Sequence, residues 1–436
     1  MLVRDLKRAA LILLPSVVSL YLLLALFRGS LTPSLANPSS SGKDGARPPP
    51  LPFHPIPAPP THNELLSLTT PSGAYFTISF GPGQEGAINP NIIPHPTEDD
   101  LYAIVAQEVA RGTPTFHEIA CYASYNSTSS LLSCIEPARP LPIAPTKGQK
   151  CPGKYKLLDF NVGPHDARVF WGPEGAYTVY GSNSQYGCFG QFIQNFPVLM
   201  DWTEEMFAGG QKGKELFRVG TEMQRPGGPR GTIEKNWFVF WDRAGQMYAH
   251  YDIQPRSFAR IAEDGSVVGA EDLAPAAQEK DAVCLERYMP PLADGGDESI
   301  HQATNSLAVT LCRRADPGCI AEEGNTVVFT IFHKKTFQDY HATYEPYVLA
   351  FKQTAPFEVY AVGRKPLWVK GRGARSDGET EMVFVTSIGW KGRGQRYHGY
   401  LDDAILLGFG IEDIGTGGID VLAGDVLRDL GLCEGL

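Results

Sequence analysis

Beyond residue 66 the chain is a long series of short β-like runs cut apart by Gly, Pro, Asn and Asp, with almost no stretch of helical periodicity. Runs at residues 73–80, 101–106, 176–180, 237–241, 247–252, 326–332, 347–352, 357–362, 381–387 and 404–410 predict strands, many of them paired as hairpins. A meander of this length, with no helices between its strands, is best folded as small antiparallel sheets repeated about an axis, which shields the strand edges. No WD, kelch or other fixed-period signature is present, so pattern alone leaves propeller and sandwich both open. Residues 200–208 and the tail 419–430 are the two predicted helices.

The chain has 436 residues, beyond the usual size of one domain, although closed all-β folds can be this large. With 43% hydrophobic and 11% aromatic residues it can bury a core, and its net charge of −10 argues against a nucleic-acid partner. Arg4, Lys7 and Arg8 precede an apolar run at 9–27 that is long enough to span a bilayer. Basic flanks stay cytosolic, which predicts a type II protein: a tail at 1–8, a signal anchor at 9–27, a Pro-rich disordered stalk at 28–65 and a lumenal body at 66–436. A cleaved signal peptide ending near Ser34-Leu35-Ala36, giving a secreted protein, is the alternative. Both routes enter the secretory pathway.

Eight cysteines suit that compartment, and the spacings Cys121/Cys134 and Cys312/Cys319 are right for closing small loops, though connectivity does not follow from spacing. No CxxC pair or Cys/His cluster points to zinc or redox chemistry. Asn126-Ser127-Thr128 is a candidate N-glycosylation site in a polar loop.

The chemistry-bearing candidates sit at strand ends. Gly163-Pro164-His165-Asp166-Ala167-Arg168 turns and then enters a hairpin strand, carrying a carboxylate and a guanidinium two positions apart. Lys235 precedes an aromatic strand; His250 ends another and is followed by Arg256; His333 ends an apolar run; Tyr397 and the pair Asp402-Asp403 flank the last strong strand. Other readings stay open for these residues. Asp166 with Arg168 can be a structural ion pair, Lys235 a solvated flank, His250 and His333 satisfied core histidines, and Asp402-Asp403 a turn cap. Asp402-Asp403 could hold a divalent metal, but no companion cluster supports one. Trp171, Trp237, Trp368 and Trp390 can stack on sugars or fill the core.

The order of these elements resembles the β-mannoside phosphorylase family, five-bladed β-propellers that include glycosidases. The residues carrying the resemblance are Asn89-Pro90, the stretch 165–168 in the place of Glu-Asp-Pro-Arg, Lys235, His250, Ile331-Phe332-His333, the segment 349–359, and Tyr397 through Asp402. It implies a five-bladed propeller with a central sugar pocket, Asp166 in the place of the general acid, and Arg168, Lys235 and His333 among the residues that hold an anion or sugar. Asn89, His250, Arg256 and Tyr397 join the substrate-binding set, and Asp402 is the candidate second carboxylate. His165, Ala167, Tyr251 and Lys334 depart from the family pattern, and the arginine expected near Ala106 is absent. A partly rebuilt phosphate cradle favours another leaving group.

The expected function is therefore a glycosyltransferase moving a hexose, mannose first, to a glycan acceptor. Nucleotide-sugar or phosphate would be the co-substrate, with no cofactor and no divalent metal indicated. A β-mannoside phosphorylase or glycoside hydrolase is the nearest alternative, and a non-catalytic carbohydrate-binding propeller the next. Membrane anchor and lumenal body are also similar to fungal-type β-mannosyltransferases, which favours the Golgi. Oligomeric state is not predicted.

Overall fold

Strands Ala176–Asn183 and Phe238–Trp241 are buried along their whole length, the second as an unbroken apolar run must be when both faces of a sheet are covered. The computed structural model describes residues 55–436 apart from 85, 109–111, 201, 203–215, 339–340, 376–378 and 436. Within them the protein is all-β, built of successive antiparallel units with few short helices.

The first unit holds Ile88–Pro94, Leu101–Gln107, Glu118–Asn126 and Leu131–Cys134. The second holds His165–Trp171, Ala176–Asn183, Phe189–Asn195 and Thr221–Glu222. Phe238–Trp241, Met247–Ile253 and Arg256–Arg260 form the third, and Glu298–Thr310, Thr326–Gln338, His341–Lys352 and Val359–Gly363 the fourth. In the fifth, Val383–Trp390, Ala404–Ile411 and Gly415–Leu422 are joined by Phe76–Ser79, which pairs antiparallel with Gly415–Leu422 and parallel with Leu131–Cys134. One early strand thus completes the last unit and ties it to the first.

The opening strands of the units pack on one another, and four of them carry register shifts: between Ile88 and Asn91, His165 and Arg168, Gln302 and Ser306, and Val385 and Ser387. A bulge frees backbone groups that burial does not allow to stay unpaired. Side-chain amides and hydroxyls take them. Asn91 accepts from Val169 N at 2.9 Å and donates to Ala167 O at 2.9 Å, lacing the first unit to the second. Asn305 accepts from Ile388 N at 3.1 Å and donates to Ile388 O at 2.8 Å, lacing the fourth to the fifth. Ser306 donates to Val239 O at 2.7 Å, and Thr386 Oγ1 donates to Pro90 O.

All ten predicted strand runs contain strands. The predicted tail helix does not form: Gly415–Leu422 is a strand and only Ala423–Val426 is helical. Gly418 explains the difference, because a Cβ there would stand 2.5 Å from the Phe76 ring, so the chain is shaped for close packing against a neighbouring strand. Most of the other predicted helix, 200–208, lies outside the described residues. So do the tail 1–8, the apolar run 9–27 and most of the Pro-rich stretch; among the described residues no helix is long and apolar enough to cross a membrane. Chain from Pro55 onward belongs to the body, eleven positions ahead of residue 66. Pro55 bridges Gly373, Asn63–Leu65 pairs in parallel with Leu367–Val369, and His62 Nε2 meets Glu345 at 2.6 Å.

Four disulfides form: Cys121–Cys134, Cys312–Cys319, Cys151–Cys188 and Cys284–Cys433. They fit an oxidising secretory or extracellular environment. Cys284 is fully buried on the helix Gln278–Tyr288, and its bond pins Leu430–Leu432 against the outer strand of the fourth unit across a separation of 149 residues. Loop-closure entropy is largest for this bond, so replacing both cysteines by alanine is expected to cost about 2–5 kcal/mol, read as a lower midpoint in a denaturant titration.

Candidate functional site

Asp166 stands where the bulged opening strands meet, in the left-handed conformation at φ 53°. Asn89 and Asn236, at the corresponding ends of the first and third units, share that conformation at 55° and 62°. Asp and Asn are the non-glycine residues that tolerate it best. The backbone of Asp166 is clamped from the first unit: Asp166 N donates to Gln107 Oε1 at 2.9 Å, and Ala167 N donates to Glu118 Oε1 at 3.0 Å. Asn89 Nδ2 donates to the Asp166 carboxylate at 2.7 Å.

Arg168 is not the ion-pair partner of that carboxylate. Its buried guanidinium donates from Nε to Ala303 O at 2.7 Å and from Nη1 to Asp166 O at 2.8 Å, bracing the second unit against the fourth. Burial pulls its pKa below the ordinary value. Glu118 is 1% exposed, and its Oε2 has no hydrogen-bond partner. Burial, aided by the nearby Asp166 charge, pushes its carboxyl up to about 8.

A small cavity of about 10 Å³ lies beside Asp166, lined by His165, Arg168, Phe189, Gln191, Lys235 and Asn236 among others. Phe189 reaches the His165 ring because Gly181 leaves space: a Cβ there would meet Phe189 at 2.4 Å. Lys235 is exposed, and its ammonium and that of Lys335 make no ion pair among the described residues. Both lysines act on His301, which burial and then their charges push down to about 4. His301 is therefore neutral near pH 7, and positive potential here comes from the lysines. Tyr344 lies across from Lys335, which sits 5.6 Å from its ring centre. On the hairpin turn after Ile411, Asp413 is within electrostatic reach of Asp166, Lys335 and His341; desolvation first, then Asp166 and Glu412, raises its pKa.

The remaining sequence candidates take other places. His250 is fully buried, bonded through Nδ1 to Gln302 at 2.6 Å and accepting from Arg256 at 3.3 Å; burial holds it neutral. Arg256 is paired with Asp281 at 2.7 Å and fastens the helix Gln278–Tyr288. His333 accepts from Val385 N at 3.2 Å and is likewise held neutral by burial. Tyr397 is a core residue whose hydroxyl meets Ser306 at 3.0 Å and Trp241 N at 3.3 Å. Trp171, Trp237, Trp368 and Trp390 are all buried.

Asp402 accepts from Arg314 N and Ala315 N, at 2.6 and 3.1 Å, in the turn before Ala404–Ile411. Asp413 follows the other end of that strand, about 25 Å away at the usual rise per residue. The structure therefore gathers Asn89, Asp166, Arg168 and Lys235, adds Glu118, His301, Lys335, Tyr344 and Asp413, and leaves Asp402 and Arg256 outside the group. Of the added residues, Glu118 and Asp413 carry the signal of a carboxylate at a strand end or turn, whereas His301, Lys335 and Tyr344 lie within long strands and carry none. Among the described residues no group of three or more His, Cys, Asp or Glu side chains could hold a metal ion.

No family model matches the chain, and no curated protein does. Among solved structures it is similar to a GDP-mannose-dependent mannosyltransferase from Leishmania mexicana, at 11% identity over 80% of this chain and 89% of that one, with a TM-score of 0.39. It is also similar to a β-1,2-mannobiose phosphorylase from Listeria innocua, at 12% identity over 84% and 96% with a TM-score of 0.38. A third is the catalytic domain of an α-L-arabinofuranosidase from Coprinopsis cinerea, at 8% identity over 80% and 97% with a TM-score of 0.41.

Proposed function

We propose that the five units are the blades of a β-propeller and that the protein is a glycosyltransferase, moving a hexose from a nucleotide-sugar to a glycan acceptor. The observation that carries this reading is a fixed carboxylate that shares a cavity wall with Lys235, while the charges of Lys235 and Lys335 both act on His301. In the proposed step Asp166 takes the proton of an acceptor hydroxyl as that oxygen bonds to the anomeric carbon. The bond from the anomeric carbon to the phosphate oxygen breaks, and the diphosphate leaves with the electron pair. Lys235 and Lys335 meet the charge that develops on it. Neutral His301 offers a hydrogen bond, and Arg168 holds Asp166 in place from behind.

The test offers the purified protein nucleotide-sugars, with GDP-mannose first, and a glycan acceptor, and measures nucleotide release. Release that requires Asp166 is expected. Formation of a sugar phosphate from a β-mannoside and inorganic phosphate, again requiring Asp166, would make the protein a phosphorylase. Glycan binding unaffected by Asp166→Asn, with no turnover of any donor, would make it a binding module.

We further assign the run 9–27 to a signal anchor and the body to the lumen of the secretory pathway, in the Golgi. Asn126 supports a lumenal body: it is exposed at a hairpin end, and its Oδ1 accepts from Thr128 N and Ser129 N at 3.0 and 3.2 Å. That leaves Nδ2 outward. Expression in a eukaryotic host should add one glycan, seen as a mobility shift that an endoglycosidase or Asn126→Gln removes.

A further inference from the structure

A larger cavity, of about 260 Å³, lies between the second and third units, and Phe189 lines both it and the small cavity at Asp166. Trp237, next in the chain to Asn236, lines it too. Two loops form its walls. One is the turn 184–188, tied down by Cys151–Cys188 and by Ser184 Oγ, which accepts from Tyr186 N at 2.9 Å and Gly187 N at 2.7 Å. The other is the segment 226–229, Pro-Gly-Gly-Pro, whose Pro229 stands 3.4 Å from the position a Cβ on Gly187 would take.

Tyr186 on the first loop is 45% exposed, yet its hydroxyl accepts from Gln224 Nε2 at 2.9 Å. An exposed ring held at its tip is a prepared stacking surface. Glu222 supplies the polar side of the same cavity. Its Oε2 accepts from Gln185 N at 2.9 Å, its carboxylate also bonds the Ser184 side chain, and its Oε1 lies 2.6 Å from where a Cβ on Gly190 would stand.

We infer that this cavity is a distal subsite for the acceptor glycan, holding a pyranose ring one or more units away from the sugar at Asp166, with Tyr186 stacking on the ring and Glu222 accepting its hydroxyls. The volume suits a sugar unit, and an aromatic surface beside a carboxylate acceptor is the chemistry a neutral pyranose requires. The shared Phe189 makes the two cavities neighbours along one chain of sugars. This inference rests on the sugar-processing reading of the Asp166 site and adds that acceptors are recognised by length.

The experiment measures binding of mannose and of linear manno-oligosaccharides of increasing length to the wild type, Tyr186→Ala and Glu222→Gln, by calorimetry and by saturation-transfer NMR on the sugar protons. Affinity is expected to rise with length in the wild type. Tyr186→Ala should remove about tenfold of that rise, the worth of one ring stack, and leave mannose binding unchanged. Glu222→Gln, which keeps the shape of the side chain, should weaken only the longer ligands. Length dependence identical in all three proteins overturns the subsite while leaving the Asp166 site standing. Absence of binding by mannose and every oligosaccharide also overturns the subsite, whereas the Asp166 site is overturned only by nucleotide release that does not require Asp166.

Discussion

Asp166→Asn is expected to lower turnover about 10²- to 10⁴-fold, the usual worth of a positioned general acid or base, while the protein stays folded. Asparagine is nearly isosteric with aspartate and accepts the left-handed backbone at this position, and its amide can still meet Asn89. The melting temperature should therefore remain within about 2 °C of wild type. Asp166→Ala separates chemistry from backbone: it should lose the same activity and also about 1–2 kcal/mol of stability, because a Cβ without a polar partner is strained at positive φ. Kinetics on the two variants, with thermal melts of each, check both claims. An asparagine variant that keeps more than about a tenth of the activity would remove Asp166 from the chemistry.

Glu118→Gln is expected to change the dependence of stability on pH. The folded carboxyl of Glu118 titrates at about 8 against an ordinary value of 4.5, so the native state holds its proton more tightly than the unfolded chain does. The favourable contribution is complete below pH 4.5 and is lost progressively as pH rises from 4.5 to 8. The loss over that window is on the order of 4 kcal/mol. Glutamine keeps an oxygen for Ala167 N and has no proton to lose, so the variant should match wild type near pH 4.5 and exceed it by several kcal/mol at pH 8. Denaturant titrations of both proteins across that range measure the difference directly. Parallel curves would show that Glu118 does not titrate with folding.

The strands were legible because apolar runs ended by Gly, Pro, Asn or Asp carry their own boundaries, and Asp166 was legible because Gly163-Pro164 marks the turn before its strand. Less visible was which end of a strand faces the middle of the molecule. Asp402-Asp403 and Glu412-Asp413 flank the same strand, Ala404–Ile411, and both are acidic pairs at turns. Only packing between units distinguishes them, and it leaves the first pair to hold Arg314 while bringing Asp413 within reach of Asp166. Asn91 and Asn305 were hidden for a related reason. In sequence they are polar residues in strands, and their role exists only once bulges on neighbouring strands expose backbone groups for them to bind. His250 and Arg256 look like ligand-binding residues by type, but burial turns both into internal fasteners.

The strand Phe76–Ser79 closes the last unit from a position near the other end of the chain; Thr416 Oγ1 donates to Ile78 O across 338 residues. During synthesis that strand emerges long before Gly415–Leu422, its antiparallel partner, exists. Leu131–Cys134 can cover one of its edges early, but the other must wait unpaired while the intervening units fold by local pairing, and the final step closes contacts of very high sequence separation. The closing strand is thus the element whose exposure time is set by the rate of elongation, which makes slow translation or early termination the conditions under which this body would offer a free β-edge to other chains.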